Sequence, residues 1–241
     1  MPTSPVSSRD LTAVILAAGE GRRLGGIAKA FLELGGATLL QHAVQLMEPL
    51  VGRIVVGVRA CDLSSSHQQV AALSLSVPVE CVAGGDTRQD TLRRLIAATH
   101  TPYLLIHEVA RPWVQPTEIR RIIAALGEHD AVVSYLPIPV RDSIALSRDG
   151  VLERALPRKD VVTLQTPHGY RRSLLEHAYA LAAENNWLED STAALVMHTD
   201  TPVHLVEGSP RNVKITYPED LVLLASGEKR PYGFNAVGAF A

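Results

Sequence analysis

Cysteine is nearly absent: Cys61 and Cys81 are the only two in 241 residues. Two are too few for a disulfide framework or a four-thiolate zinc site, so each is expected to be a small buried hydrophobe in a chain suited to a reducing cytoplasm. A surplus of positive charge is also missing, because 23 Lys and Arg stand against 25 Asp and Glu, for a formal net charge of −2. Sequence-independent binding along a nucleic acid needs such a surplus, so no nucleic-acid partner is expected. No run approaches the ~20 apolar residues of a membrane span, and residues 1–10 hold Pro and Ser without the apolar segment of a signal peptide. Those residues read as a flexible tail, and no membrane partner is expected. A G-x-S-x-G elbow, a G-K-[ST] ending to the glycine-rich loop and any H-x-x-x-H spacing are missing as well. Hydrolase, P-loop ATPase and helical zinc-site readings lose their support.

What the chain does contain is enough apolar residue, 46%, for one full core, and its length suits a single α/β domain. Short runs rich in Val, Ile and Leu (Thr12–Leu16, Arg53–Val58, Pro78–Val82, Tyr103–His107, Ala131–Leu136) alternate with segments of helical period (Leu39–Met47, Arg88–Ala98, Thr117–Leu126). This βαβ rhythm predicts an α/β fold, a mostly parallel twisted sheet flanked by helices, with ligands at the carboxyl ends of the strands. Pro139–Lys159 breaks the rhythm with Arg141, Asp142, Arg148, Asp149, Arg154 and Arg158, and reads as a projecting β-arm, residues 138–160 in all. Beyond it are expected a strand at Val161–Leu164, helices at Arg171–Ala183 and Ser191–His198, a strand at Val203–Val206 and a closing helix at Pro218–Leu224. The domain then spans residues 11–226 and a C-terminal tail 227–241.

The first strand runs into Leu16-Ala17-Ala18-Gly19-Glu20-Gly21-Arg22-Arg23-Leu24-Gly25, with Lys29 shortly after. Small residues let the backbone approach a ligand, successive amides form an anion-binding nest, and Arg22, Arg23 and Lys29 can neutralise a triphosphate. The G-x-G-x-x-x-G spacing departs from a dinucleotide fingerprint. Glu108 and Arg111 follow a buried strand at the end where such sheets place their chemistry. Asp86 with Gln89 reads locally as a helix cap with its capping box. Glu189 and Asp190 read as caps of a later helix, with a magnesium role as the alternative. Lys214 falls in a short strand segment between Pro210 and Pro218.

Ala17-Ala18-Gly19-x-Gly21-x-Arg23-Leu24 with Lys29 resembles the signature of the sugar-phosphate nucleotidyltransferases. Four later segments resemble the 2-C-methyl-D-erythritol 4-phosphate cytidylyltransferase family in particular: Gly84–Thr91, His107–Pro112, Pro139–Ser143, and Leu205–Gly208 leading to Asn212–Thr216. The similarity is collinear from about Thr12 to Leu224. It implies a Rossmann-like nucleotidyltransferase fold and transfer of a cytidylyl group from CTP to 2-C-methyl-D-erythritol 4-phosphate, in the non-mevalonate isoprenoid precursor pathway. The products would be 4-diphosphocytidyl-2-C-methyl-D-erythritol and pyrophosphate.

The same resemblance assigns residues. Arg23, Lys29 and Lys214 are implied as catalytic cations around the phosphates. Ala17, Ala18, Gly19, Gly85, Asp86 and Thr91 are implied to bind the nucleotide. Glu108, Arg111, Ser143, Arg158 and Thr166 are implied to bind the acceptor, with Ser143 and Arg158 reaching from the arm into the partner's site of a homodimer. Mg2+ is the implied cofactor, with Glu108 as its candidate ligand. Four positions depart from the family: Glu108 replaces aspartate, Ile27-Ala28 stands where proline usually precedes Lys29, Ser143 replaces threonine, and His168 stands where glutamine is typical. These residues leave open another polyol phosphate, such as ribitol 5-phosphate, and a non-catalytic nucleotide-binding module.

Overall fold

After β1 (Leu11–Leu16) come a short hairpin of β2 (Glu33–Leu34) and β3 (Ala37–Thr38), then α1 (Leu39–Met47), β4 (Arg53–Val58) and α2 (Leu63–Ala71). The chain continues through β5 (Val79–Ala83), α3 (Arg88–Ala97), β6 (Tyr103–Glu108) and α4 (Pro116–Leu126). Its second half holds β7 (Ala131–Pro137), the arm strands β8 (Ile144–Arg148) and β9 (Val151–Leu156), β10 (Val162–Arg171), α5 (Arg172–Asn185), α6 (Thr192–Met197), β11 (His204–Glu207) and α7 (Leu221–Ser226). This computed structural model describes residues 5–138 and 142–226. The tail expected at 227–241, the first four residues of the N-terminal tail, and Pro139, Val140 and Arg141 of the arm lie outside the described residues.

One seven-stranded sheet, ordered β11-β7-β10-β6-β1-β4-β5, forms the centre. All its pairings are parallel except those of β10, which runs antiparallel to both β6 and β7. The expectation of a mostly parallel sheet holds. The run Leu-Thr-Ala-Val-Ile-Leu of β1 is apolar on both faces because helices cover both. On one side α1 and α4 bring Leu40, Val44, Ile119 and Ile122 onto Ile15, Ile54 and Leu105. On the other, α3, α5 and α6 bring Leu92, Leu95, Leu175 and Leu195 onto Val14, Val55, Ile106 and Tyr170. Truncating one of these fully buried Leu or Ile residues to Ala costs about 2–5 kcal/mol.

Local signals start the helices. Thr38 caps α1 and exchanges hydrogen bonds with Gln41, and at the start of α4, ahead of Pro116, the Gln115 amide donates to the Glu118 carboxylate at 2.8 Å. Thr87, not Asp86, caps α3, its hydroxyl accepting from the Asp90 amide. Ser191, not Glu189 or Asp190, caps α6, while Glu189 pairs with His198 at 2.7 Å. In both places the nearer hydroxyl residue has the extended backbone that a cap requires.

Other expectations need correction. The strand at Val161–Leu164 is the first part of a ten-residue strand that passes through Pro167, with a register shift between Gln165 and His168 that accommodates the missing amide hydrogen. Lys214 lies in no strand. Cys81 is buried as expected, and its thiol is pushed up to about 11 by burial, but Cys61 is exposed. Ser8–Asp10 forms a capped 3-10 turn running into β1, so that part of the N-terminal tail is ordered.

The antiparallel course of β10 matters most for function. It carries Thr166 to the carboxyl end of β6, while parallel β11 delivers the segment that follows it to the same edge of the sheet.

Candidate active site

The loop after β1 is shaped by Gly21. Its φ is +63°, and a Cβ there would sit 2.1 Å from the Ile27 carbonyl oxygen, so no side chain fits. The curl places Arg22–Leu24 and Lys29–Phe31 in successive 3-10 turns, which brings the charges of Arg23 and Lys29 near each other. A Cβ on Gly84 would come within 2.7 Å of the Ala18 side chain, so glycine lets the loops after β1 and β5 touch. Gly85 donates its amide to Thr91 Oγ1 at 3.0 Å. Thr91 is itself buried and holds this loop from behind, while Asp86 is exposed.

The charged centre lies at the end of β6. Lys214 Nζ is 2.9 Å from both carboxylate oxygens of Glu108, with Arg111 Nε at 3.5 Å and Arg88 Nε at 3.6 Å. Burial alone would raise the Glu108 carboxyl, but Lys214, Arg111 and Arg88 outweigh it and hold its pKa at about 2. Lys29 is pushed the other way, below its ordinary value, by burial and by the charges of Lys214 and Arg23.

The segment 212–217 ties these parts together. Arg111 Nη1 donates to the Asn212 carbonyl at 2.8 Å, and Lys29 Nζ donates to the Ile215 carbonyl at 2.7 Å. Asn212 Nδ2 donates to the Thr166 carbonyl at 2.8 Å. Arg23 Nη1 donates to Tyr217 Oη at 3.2 Å, with its guanidinium 5.2 Å from the ring centre. Two histidines stand behind this arrangement. His107 is held at about 4 by burial and by Arg111, and His168 at about 3 by burial and by Arg88, so both rings are neutral at pH 7.

Arg88, Glu108, Arg111, Thr166, His168, Asp190, Ser191 and Lys214 border a cavity of about 170 Å³. The expected Glu108, Arg111, Thr166 and Lys214 therefore converge, with Lys29 joined to them through charge and Ile215. Ser143 and Arg158 are exposed on the arm and do not line this cavity. Arg88 and His107 lie inside segments legible in the sequence yet carried no assigned role. Asn212 likewise lies in such a segment but was given no role, and Tyr217 had no local signal, since its partner Arg23 is 194 residues away. A second hollow of about 320 Å³, between α3 and α5, contains none of the expected site residues.

The donor set does not make a resident metal cage. Among the described residues no three His, Cys, Asp or Glu side chains converge, and Glu108, the expected ligand, faces three cations. Chemically the site suits a polyanion: fixed positive charge, small residues at the loop, and no activated nucleophile.

The sequence model of the 2-C-methyl-D-erythritol 4-phosphate cytidylyltransferase family matches residues 11–226. The chain is 35% identical over 224 residues to the 2-C-methyl-D-erythritol 4-phosphate cytidylyltransferase of Deinococcus radiodurans, covering 92% of this chain and 91% of that protein. The crystal structure of the Thermus thermophilus enzyme of the same name superposes with a TM-score of 0.71 at 32% identity, covering 89% of this chain and 97% of that one. The fold alone is also shared with the 4-diphosphocytidyl-2C-methyl-D-erythritol synthase of Anaerococcus prevotii, at a TM-score of 0.81 and 21% identity, over 92% of this chain and 97% of that one.

Proposed function

The chain belongs to the 2-C-methyl-D-erythritol 4-phosphate cytidylyltransferase family, and on that premise we propose how its site moves the cytidylyl group of CTP onto 2-C-methyl-D-erythritol 4-phosphate. An acceptor phosphate oxygen attacks the α-phosphorus of CTP. As that P–O bond forms, the bond from the α-phosphorus to the oxygen bridging the β-phosphate breaks, and pyrophosphate leaves with the electron pair. The product is 4-diphosphocytidyl-2-C-methyl-D-erythritol, on the way to isoprenoid precursors. No general base is needed, because a phosphate monoester with a second ionisation near 6 is already a dianion at neutral pH. What remains for the protein is alignment and charge neutralisation.

The convergence of Arg88, Arg111 and Lys214 on Glu108, with Lys29 and Arg23 beside them, carries this reading. Like charges so gathered repel, Glu108 offsets part of the repulsion, and a triphosphate with its acceptor phosphate offsets the rest. Arg23 and Lys29 stabilise charge developing at the α-phosphate, and Lys214 lies over the phosphates. Ala17, Ala18 and Gly19 approach the triphosphate, while Gly85 and Asp86, with Thr91 behind Gly85, take the cytidine. Arg111, Thr166 and Glu108 face the acceptor. Magnesium, when it accompanies the triphosphate, supplies further positive charge on phosphate oxygens, as is usual for that ion, and Glu108 orders the cations instead of ligating it.

The arm completes the site from a second copy. Its hairpin pairs with no third strand among the described residues, and a lone two-stranded hairpin is marginal in water. Pairing with its twin would cover Val151 and Leu152 and bring Ser143 and Arg158 across a twofold axis. The two unpaired cysteines suit a cytoplasmic setting. Pyrophosphate release with CTP and separate acceptors tests the whole reading. Turnover with 2-C-methyl-D-erythritol 4-phosphate well above that with ribitol 5-phosphate is expected, and the reverse order would reassign the acceptor.

A further inference from the structure

His107 is fully buried at the end of β6, and both ring nitrogens have partners. Nε2 lies 3.2 Å from the Arg111 carbonyl oxygen. A carbonyl only accepts, so Nε2 carries the ring proton and the neutral ring has a bare lone pair at Nδ1. Nδ1 in turn lies 3.2 Å from Thr166 Oγ1, so the threonine must donate its single hydroxyl hydrogen to His107. The Glu108 amide also donates to Thr166 Oγ1, at 3.1 Å. The chain of hydrogen bonds therefore runs one way, from Glu108 N–H to Thr166 O–H to His107 Nδ1, with the His107 Nε2–H ending on Arg111. A second clamp, from Asn212 Nδ2 to the Thr166 carbonyl, fixes the residue from the other side.

A hydroxyl has one hydrogen and two lone pairs. Thr166 has spent the hydrogen and one lone pair inside the protein, and borders the cavity with a single lone pair left. It cannot donate to a phosphate oxygen, which has no hydrogen to give in return. We propose that His107 is a positioning residue that makes Thr166 an acceptor-only group, so that Thr166 reads a hydroxyl on the carbon chain of the acceptor instead of its phosphate. This rests on the acceptor reading above. It divides the labour at the end of β6: Arg111 and Lys214 take phosphate charge, and the neutral Thr166–His107 pair inspects the polyol.

Two measurements test it. In the intact protein, nitrogen-15 correlation spectra of the imidazoles, with His107 assigned by loss of its signals in His107→Asn, should show the Nε2–H form. An Nδ1–H form would reverse the chain and end the proposal. Kinetically, acceptor analogues lacking one hydroxyl at a time should include one whose kcat/KM with the wild type falls about tenfold or more, the typical consequence of stranding a buried polar group. Thr166→Ser should keep that discrimination. Thr166→Val, with KM for CTP unchanged, should lose it, and His107→Phe, which frees the threonine hydrogen, should weaken it. Equal discrimination in Thr166→Val and wild type overturns the proposal. Absence of turnover with every acceptor would instead sink the proposed function, and the tautomer would still decide the direction of the chain.

Discussion

At the end of β6, Glu108 meets three cations within 3.6 Å, and His107, Thr166 and Asn212 are buried and hydrogen-bonded within one chain. The hairpin of β8 and β9 is its opposite, with Val151 67% and Leu152 69% exposed and no third strand beside it among the described residues. The buried polar groups of the first region find their hydrogen-bond partners within one chain, which makes it structurally self-sufficient although Glu108 offsets only part of the positive charge around it. The arm pairs Arg148 with Glu153 at 2.9 Å across its own hairpin, yet nothing among the described residues covers its apolar Val151 and Leu152. Substitutions at the first region should therefore act within a subunit, and substitutions on the arm should act on its neighbour.

The largest effect is expected from Lys29→Ala and Arg23→Ala, which remove the charge that the proposed mechanism directs at the transferring phosphorus. Each should lower kcat about 10²–10³-fold while KM for the acceptor stays close to that of the wild type. Near-normal turnover would take the glycine-rich loop out of the mechanism. Next comes the arm. Arg158→Ala should be nearly inactive alone, but random mixing with Lys29→Ala subunits repairs one of two sites in half of the dimers, returning about a quarter of wild-type activity. Mixtures as dead as their parents would mean that each chain builds its own site.

Acid titration sharpens the comparison from the stability side. Glu108 is held at about 2, below the ordinary 4.5, so its pairing contributes fully above pH 4.5 and is lost as pH falls through about 2. His107 and His168 are held at about 4 and about 3, below the ordinary 6.5. Their neutral forms contribute above pH 6.5, and that contribution fades as acid protonates the unfolded chain first. Thermal melts should show His107→Asn with a flatter dependence between pH 6.5 and 4 than the wild type, and Glu108→Gln flatter only below pH 4.5. Parallel curves for all three proteins would contradict the burial and pairing described here.

The sheet was legible because strands covered on both faces are nearly continuous apolar runs, as in Leu-Thr-Ala-Val-Ile-Leu of β1 and Arg-Ile-Val-Val-Gly-Val of β4. α2 escaped notice because Leu-Ser-Ser-Ser-His-Gln-Gln-Val-Ala offers few apolar positions to set a period. The β2–β3 hairpin is two residues a side, joined by Gly35 and Gly36 at positive φ. The strand expected at Val161–Leu164 stops short of Pro167, which β10 in fact passes through. At the site, the glycine-rich loop and the place of Glu108 and Arg111 were legible from their position after apolar strands, whereas their particular roles, and Lys214 altogether, came from resemblance. The pairing of Lys214 with Glu108 spans 106 residues and that of Lys29 with Ile215 spans 186. Such contacts have no local pattern, and for the same reason Arg88 and Tyr217 were readable only once folded.

The smallest expected effect falls on Tyr217, which touches the self-sufficient region from its rim. Tyr217 is half exposed, and its backbone amide is pinned by Asp220 Oδ2 at 2.8 Å, so the ring has a fixed base from which to hold the exposed Arg23. It does so in two ways, through the hydrogen bond from Nη1 to Oη and through the ring face beneath the guanidinium. Tyr217→Phe removes only the first. An exposed hydrogen bond and an exposed cation–π contact are each worth about 0.5–1 kcal/mol, so Tyr217→Phe should lower kcat roughly two- to fivefold and Tyr217→Ala somewhat more. If Arg23 acts, as proposed, on charge developing in transfer, the loss should appear in kcat with KM for CTP nearly unchanged. A rise in KM at constant kcat would instead assign Tyr217 to ground-state binding of the nucleotide and separate it from Arg23.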